Sequence, residues 1–147
     1  MDISVKILNN ALGIELPSYA TAGSAGLDLR AAISEPIILR KNERKLIPTG
    51  LAMAVPIGYN AEIRPRSGLA YKNGVSVLNS PGTIDSDYRG EVKVLLINLG
   101  EDDFLIENGM RIAQLVIQKC ETIDWNVVNS LDETGRSKGG YGSTGVK

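Results

Sequence analysis

The 147-residue chain contains no histidine and a single cysteine, Cys120. It therefore lacks the usual proton shuttle at neutral pH and the commonest metal ligand. One cysteine cannot form an intramolecular disulfide or a Cys/His zinc site, and such scarcity favours a reducing, cytoplasmic location. A catalytic base in this chain must be a carboxylate, a lysine, a tyrosine or Cys120.

An excess of charge and long apolar runs are also lacking. The 16 Lys and Arg residues nearly balance the 17 Asp and Glu residues, which gives a net charge of −1. This balance argues against a general basic surface for nucleic acid or membrane lipid, so any anion binding must be local. The first 16 residues lack the apolar core of a signal peptide, and no apolar run reaches membrane-spanning length. We therefore expect neither a nucleic acid nor a membrane as partner.

Short, β-branched apolar runs dominate the chain and are bounded by Gly, Pro or Asn, which predicts an all-β barrel or sandwich. The runs lie at residues 3–7, 37–39, 51–55, 75–77, 92–97 and 112–117. Ser67–Gly74 alone is typical of a short helix, with Ser67 as candidate cap and Gly74 as its end. Five of the nineteen residues from Asn129 onward are Gly. The sequence thus predicts a β-rich body over 1–128 and a flexible tail over 129–147.

Two cations and a hydroxyl precede the predicted helix in the segment Arg64-Pro65-Arg66-Ser67. Free N–H groups at a helix start, together with Arg66 and Ser67, would make a compact phosphate site. The alternative is that Ser67 merely caps the helix and the arginines are solvated.

Residues 79–90 join two predicted strands, 75–78 and 91–99, and should form the polar tip of a long β-hairpin. The side chain of Asn79 has one acceptor and two donors, and could pair with both an N–H and a C=O of an amide-like ring. Asp85 is the carboxylate best suited to orient and deprotonate a water. Alternatively, Asp85 and Asn79 only form turns and Tyr88 only packs.

Residues 109–115 begin a strand whose alternation places Arg111, Ala113 and Leu115 on one face. Gln114 then lies among apolar neighbours on the other face and needs a polar partner. In the tail, glycines and two cations surround Tyr141, a combination suited to a lid over a nucleotide. A Gly/Ser-rich tail is more often simply a flexible end.

Five segments, taken in order, resemble the signature segments of the trimeric deoxyuridine triphosphatase (dUTPase) family. They are residues 25–29, 65–70, 82–90, 109–115 and 136–145. The resemblance implies a jelly-roll-like β-barrel, assembled as a homotrimer with active sites at the subunit interfaces. It also implies hydrolysis of dUTP to dUMP and pyrophosphate with Mg²⁺, which keeps uracil out of DNA and supplies dUMP for thymidylate synthesis.

The resemblance implies roles for particular residues. Asp85 would activate the water that attacks the α-phosphorus, and Tyr88 would pack under the deoxyribose and exclude a 2′-hydroxyl. Uracil would pair with Asn79 and with the hairpin at Thr83 and Ile84. Further substrate contacts are expected from a neighbouring subunit at Arg66, Ser67, Gly68 and Gln114, and from the tail at Arg136, Tyr141, Gly142, Ser143 and Thr144.

The metal would be held mainly by the triphosphate and waters, with no direct protein ligand, and Asp28 would lie near its water shell or near Arg66. The tail departs from the family pattern at Tyr141, where Phe is more usual, and at Ser137-Lys138, which replaces a more glycine-rich spacing. These departures bear on lid closure. Two other functions stay open: a dCTP deaminase of the same superfamily, and a non-catalytic nucleotide-binding protein on the same scaffold.

Overall fold

The structure, a computed structural model, describes residues 1–140, which contain ten β-strands, one α-helix and one 3-10 turn. The helix α1 spans Ser67–Asn73. The strands are β1 (Ser4–Ile7), β2 (Leu27–Arg30), β3 (Ile37–Leu39), β4 (Arg44–Ala54), β5 (Tyr59–Arg64), β6 (Val75–Val77), β7 (Gly82–Ile84), β8 (Val92–Asn98), β9 (Phe104–Ile106) and β10 (Arg111–Lys119). The prediction of an all-β fold with one short helix is confirmed.

The strands form two four-stranded antiparallel sheets and one two-stranded pair. The first sheet has the order β1-β4-β8-β6, the second has the order β2-β10-β5-β7, and β3 pairs with β9. Strands far apart in sequence are neighbours, as in a double-sheet jelly roll. Hydrogen bonding does not run around a closed barrel, because β1, β6, β2 and β7 remain sheet edges within residues 1–140.

The core lies between the inward faces of the sheets. Strand β8 shows the period-two pattern clearly, since Val92, Val94 and Leu96 are buried whereas Lys93 is exposed. Asn98, at the end of β8, is fully buried and fully bonded: its Nδ2 donates to the carbonyls of Leu39 and Asp102, at 2.9 and 2.8 Å. Its Oδ1 accepts from the backbone N–H of Gly100. A buried amide satisfied in this way costs little and fixes the connections around it.

Helix α1 ends as the sequence predicts but begins one residue differently. Gly74 adopts the left-handed conformation, with φ of 68°, and closes the helix. The N-cap is Arg66, not Ser67, and no side chain caps the helix. A capping hydroxyl must sit on the extended residue before the first turn, and the extended backbone ends at Arg66. The predicted Ser67 cap is therefore wrong.

Residues beyond β10 form no helix or strand up to residue 140, and residues 121–138 are exposed. The division into a 1–128 body and a 129–147 tail remains a prediction, because exposure already begins at Glu121. Among the described residues, no helix is long and apolar enough to cross a membrane.

Candidate active site

The segment between β6 and β8 contains a further strand, β7, in addition to the predicted hairpin tip. Strands β6 and β8 pair antiparallel, with Val75 opposite Asn98, as predicted. Within the connection, however, β7 crosses to the other sheet and pairs with β5, placing Thr83 opposite Glu62. Residues 79–90 therefore bridge the two sheets, and this fixes the polar segment on both sides.

This bridge borders a cleft of about 260 Å³, here called the hairpin cleft. Its lining brings together all the candidate residues of the segment: Asn79, Thr83, Ile84, Asp85 and Tyr88, with Gly82, Ile63, Leu46, Glu91, Val92 and Lys93 around them. Gly82 lies so near Asn79 that a Cβ there would be 3.2 Å from the Asn79 amide nitrogen. The amide therefore packs on bare backbone at the cleft wall.

The backbone of Asp85 forms part of a turn, and its side-chain carboxylate is exposed. Its backbone carbonyl accepts a hydrogen bond from the Tyr88 N–H at 3.2 Å, which closes the turn of the alternative interpretation. Its carboxylate is exposed and has no hydrogen-bond partner among residues 1–140. The nearby hydrogen bonds, from the Tyr88 hydroxyl to the Glu91 carbonyl and from Arg89 to the carbonyls of Ser86 and Tyr88, do not involve it. The turn thus positions a carboxylate that can accept a proton.

Tyr88 is held at its hydroxyl and open on its ring. The hydroxyl donates to the carbonyl of Glu91 at 3.0 Å, and the residue is 45% exposed. A Cβ at Gly90 would collide with the Tyr88 ring and hydroxyl, so the ring occupies space that only glycine leaves free. The ring is therefore fixed in place yet accessible to a ligand.

A second cleft, of about 420 Å³, lies at the start of α1 and is here called the helix cleft. It is lined by Arg64, Pro65, Ser67, Ser80, Pro81 and Gln114. Ser67 is the first residue of α1 and Gly68 the second, and a Cβ at Gly68 would meet nothing within 4 Å. Since Ser67 does not cap the helix, its hydroxyl is free to face the cleft.

Gln114 has the polar partner that the sequence predicts for it. Its Nε2 donates to the carbonyl of Pro65 at 2.8 Å, which ties β10 to the start of α1. A Cβ at Gly26 would collide with the Gln114 Oε1, so the glycine of the first signature segment makes room for this side chain. The orientation of Gln114 is thus set from two sides.

Arg111 lies on a different face from the one predicted. The pairing of β10 with β2 shifts register between Arg111 and Ala113, as at a β-bulge, and both Ile112 and Ala113 are buried. The extra residue reverses the alternation, so Arg111 does not share the inward face of Ala113 and Leu115. Instead it shares the outer face with Asp28 and Gln114.

Asp28 pairs with two arginines from other elements. Arg66 Nε donates to its Oδ1 at 2.8 Å, and Arg111 Nη1 donates to its Oδ2 at 3.3 Å. Arg66 Nη1 also donates to the Arg111 carbonyl at 3.4 Å. Asp28 therefore lies beside Arg66, one of the two positions expected for it, and Arg66 turns away from the helix cleft, whose lining it does not join.

The tail is not brought to either cleft within the described residues. Arg136 Nε donates to the Gly139 carbonyl at 2.9 Å in a local turn. The remaining expected tail contacts, Tyr141, Gly142, Ser143 and Thr144, lie outside the described residues.

The two clefts share no lining residue within the described chain. Sequence reasoning missed Arg64 as a residue of the helix cleft. The alternation along β5 does indicate its outward direction, because Ala61 and Ile63 are buried and Glu62 and Arg64 alternate with them. Residues 1–140 contain no group of three or more His, Cys, Asp or Glu side chains arranged to hold a metal.

Comparison with known proteins identifies the family. The dUTPase family model matches residues 13–145. A deoxyuridine 5′-triphosphate nucleotidohydrolase of Rickettsia bellii is 61% identical over 144 residues, covering 98% of this chain and 95% of the relative. The enzyme of the same name from Orientia tsutsugamushi is 59% identical over 132 residues, covering 90% of this chain and 89% of the relative.

A solved structure agrees with the fold. The dUTPase of Staphylococcus bacteriophage 80alpha, solved with dUPNHPP, has a TM-score of 0.87 to this chain at 27% identity, and the alignment covers 99% of each chain. Sequence and fold thus agree over almost the whole length, and the chain belongs to the dUTPase family.

Proposed function

We propose that this protein hydrolyses dUTP to dUMP and pyrophosphate, which keeps uracil out of DNA and supplies dUMP for thymidylate synthesis. The observation that carries the proposal is the family match over residues 13–145 in a chain whose hairpin cleft presents an exposed Asp85 carboxylate that has no partner among residues 1–140. Phosphoryl transfer needs positioning and charge neutralisation more than covalent catalysis. A site without histidine or a reactive cysteine is sufficient for it.

In the proposed reaction Asp85 accepts a proton from water. The water oxygen forms a bond to the α-phosphorus, and the bond from the α-phosphorus to the bridging oxygen breaks, so that pyrophosphate leaves. The support for Asp85 in this role is its position: a turn holds its backbone, its side chain is exposed, and it lines the same cleft as Asn79 and Tyr88. General-base catalysis of this kind contributes about 10²–10⁴-fold.

Selectivity for uracil and deoxyribose would arise in the hairpin cleft. Asn79 and the backbone of Thr83 and Ile84 would pair with uracil, whose hydrogen-bond polarity is the reverse of cytosine at two ring positions. A site built to hydrogen-bond one partner can reject the mismatched one by about 10⁴-fold or more. Thymine would be excluded sterically by its extra methyl group at the floor of the hairpin cleft, where Asn79 packs against Gly82. Tyr88 would exclude the ribose 2′-hydroxyl with its ring.

The polyphosphate would bind to Arg66, Ser67, Gly68 and Gln114 of a neighbouring subunit. Two observations support a homotrimer with sites at the interfaces. Within the described residues the hairpin cleft and the helix cleft have separate linings, so the expected contacts to the base and to the phosphates do not share one cleft. Apolar side chains beyond β10 are also uncovered, with Ile123 68%, Trp125 86% and Val127 93% exposed. Three large apolar side chains this exposed within five residues would be covered if this segment packs on another subunit.

Mg²⁺ would reach the site with the triphosphate, and its contribution is to neutralise negative charge on the phosphate oxygens. Asp28 is the residue that would hold the ion's waters, without ligating the ion directly. This fits the structure, because both of its carboxylate oxygens already accept from arginines.

The tail residues 129–147 would close over the bound nucleotide, with Tyr141 stacked on uracil and Arg136, Ser143 and Thr144 at the γ-phosphate. A cytoplasmic location remains a prediction from the single cysteine.

The test is product analysis with a panel of nucleotides. Purified protein is incubated with Mg²⁺ and, separately, dUTP, dCTP, dTTP or UTP, and both pyrophosphate and ammonia are measured. We expect pyrophosphate from dUTP and little from the others. Ammonia from dCTP would indicate the deaminase instead, and nucleotide binding without any product would indicate a non-catalytic protein.

A further inference from the structure

Arg64 lies in the helix cleft and has a guanidinium that is only partly used. On β5 its Nε and Nη2 both donate to Oε2 of Glu62, at 2.9 and 2.6 Å. The Glu62 side chain is 16% exposed and the Arg64 side chain 43% exposed. The largely buried Glu62 carboxylate therefore fixes one edge of the Arg64 guanidinium. The Nη1 atom of Arg64 has no partner among residues 1–140.

The row of residues across the second sheet places Arg64 beside the expected phosphate contacts. Gln114 on β10 lies directly opposite Arg64 on β5 and opposite Asp28 on β2. Their neighbours Ile63, Ala113 and Leu29 are buried on the opposite face of the sheet. Asp28, Gln114 and Arg64 thus form one polar row on the outer face.

The charge of the helix cleft comes from Arg64. Its described lining consists of Arg64, Pro65, Ser67, Ser80, Pro81 and Gln114, which includes one cation and no carboxylate. Arg66, the arginine expected to face phosphate, is instead bonded to Asp28. Glu62 holds one edge of this guanidinium from outside the lining, and Nη1, which has no partner among residues 1–140, lies next to a hydroxyl and an amide and is suited to bind phosphate oxygens.

We propose that Arg64 is a further substrate-binding residue that contacts the polyphosphate, and that Glu62 is the positioning residue that orients its guanidinium. This inference rests on the proposed function, because it names an additional residue for the same nucleotide. It predicts that Arg64 distinguishes nucleotides by the number of their phosphates. A purely structural Arg64–Glu62 pair on the strand would make no such distinction.

The experiment compares binding of dUMP and of the non-hydrolysable triphosphate dUpNHpp, by calorimetry on the full-length assembly, for wild type, Arg64→Gln and Arg44→Gln. Arg44 is an exposed arginine at the start of β4, in the other sheet, so its variant makes the same charge change away from the site. We expect Arg64→Gln to weaken dUpNHpp binding by about 10- to 100-fold, the effect of one charge-assisted contact, with dUMP binding within about twofold of wild type. Arg44→Gln should bind both ligands as wild type does.

Glu62 is tested by Glu62→Gln, which keeps the charge of Arg64 but weakens its orientation. We expect KM for dUTP to rise about three- to tenfold with kcat nearly unchanged. The variant loses orientation of a binding residue and leaves the proton transfer to Asp85 intact. The double variant E62Q/R64Q removes both charges together and avoids an unpaired carboxylate. It should show the same selective loss of dUpNHpp binding, even where Arg64→Gln alone folds poorly.

Unchanged dUpNHpp binding in either Arg64 variant would overturn the proposal, as would equal losses for dUMP and dUpNHpp. Failure of the proposed function is separate and visible in the wild type, which would then release no pyrophosphate from dUTP.

Discussion

Asp28 divides its two carboxylate oxygens between Arg66 and Arg111, at 2.8 and 3.3 Å. The three residues come from β2, from the cap of α1 and from the bulged start of β10. One short side chain therefore connects three signature segments of the family, and it sets where the guanidinium of Arg66 can point.

Replacing Asp28 with Asn should free Arg66 without unfolding the protein. The three side chains are partly exposed, so the free energy of unfolding should fall by only about 1 kcal/mol or less. We expect KM for dUTP to rise about tenfold, because Arg66 is no longer held in position. Thermal unfolding and steady-state kinetics, measured on the same preparation, check the two parts. A large loss of stability with unchanged KM would show that the pair is only structural.

Replacing Asp85 with Asn should preserve folding and nucleotide binding but remove the base. The carboxylate has no hydrogen-bond partner within the described chain, so its loss breaks no internal contact. We expect kcat to fall by about 10²–10⁴-fold while the dissociation constant of dUpNHpp changes little. Asp87→Asn, two residues along the same loop, is the matched control and should stay near wild type. A near-normal kcat for Asp85→Asn would remove Asp85 from this role.

Shortening Tyr88 to Ala should relax the discrimination against ribose. The ring sits over Gly90 and is open on its other side, so its removal leaves space for a 2′-hydroxyl. We expect the ratio of kcat/KM for dUTP to that for UTP to fall at least about tenfold. Tyr88→Phe loses only the hydrogen bond to the Glu91 carbonyl and should keep the ratio. If both variants retained wild-type selectivity, the sugar would be recognised elsewhere.

Ending the chain after Ser130 should separate assembly from catalysis. The truncation keeps the exposed apolar residues Ile123, Trp125 and Val127 and removes Arg136 and the residues beyond it. We therefore expect the trimer mass in light scattering to be unchanged and kcat/KM for dUTP to fall by about 10²-fold or more. Full activity of the shortened protein would exclude a lid function for the tail.

The sequence predicted those features that depend on local pattern. Alternation predicted strands that became β1, β6, β8 and most of β10, and Gly74 ends α1 as expected. The need of Gln114 for a polar partner was also evident, and the Pro65 carbonyl fills it.

Features that depend on contacts between distant segments could not be predicted from pattern. The bulge before Ala113 reversed the face of Arg111, because one extra residue inverts a period of two. The crossing of β7 to β5 is a tertiary pairing inside what reads as a simple hairpin tip. The family resemblance placed Asp28 near Arg66 as one of two possibilities, but residue pattern alone did not show that this pairing leaves Arg64 as the arginine in the lining of the helix cleft.

Isotope labelling tests the central claim, attack of water on the α-phosphorus of dUTP, most directly. The protein turns over dUTP in ¹⁸O-labelled water with Mg²⁺, and mass spectrometry of both products locates the label. We predict one ¹⁸O atom in dUMP and none in pyrophosphate. Label in pyrophosphate, or no hydrolysis of dUTP, would contradict the account.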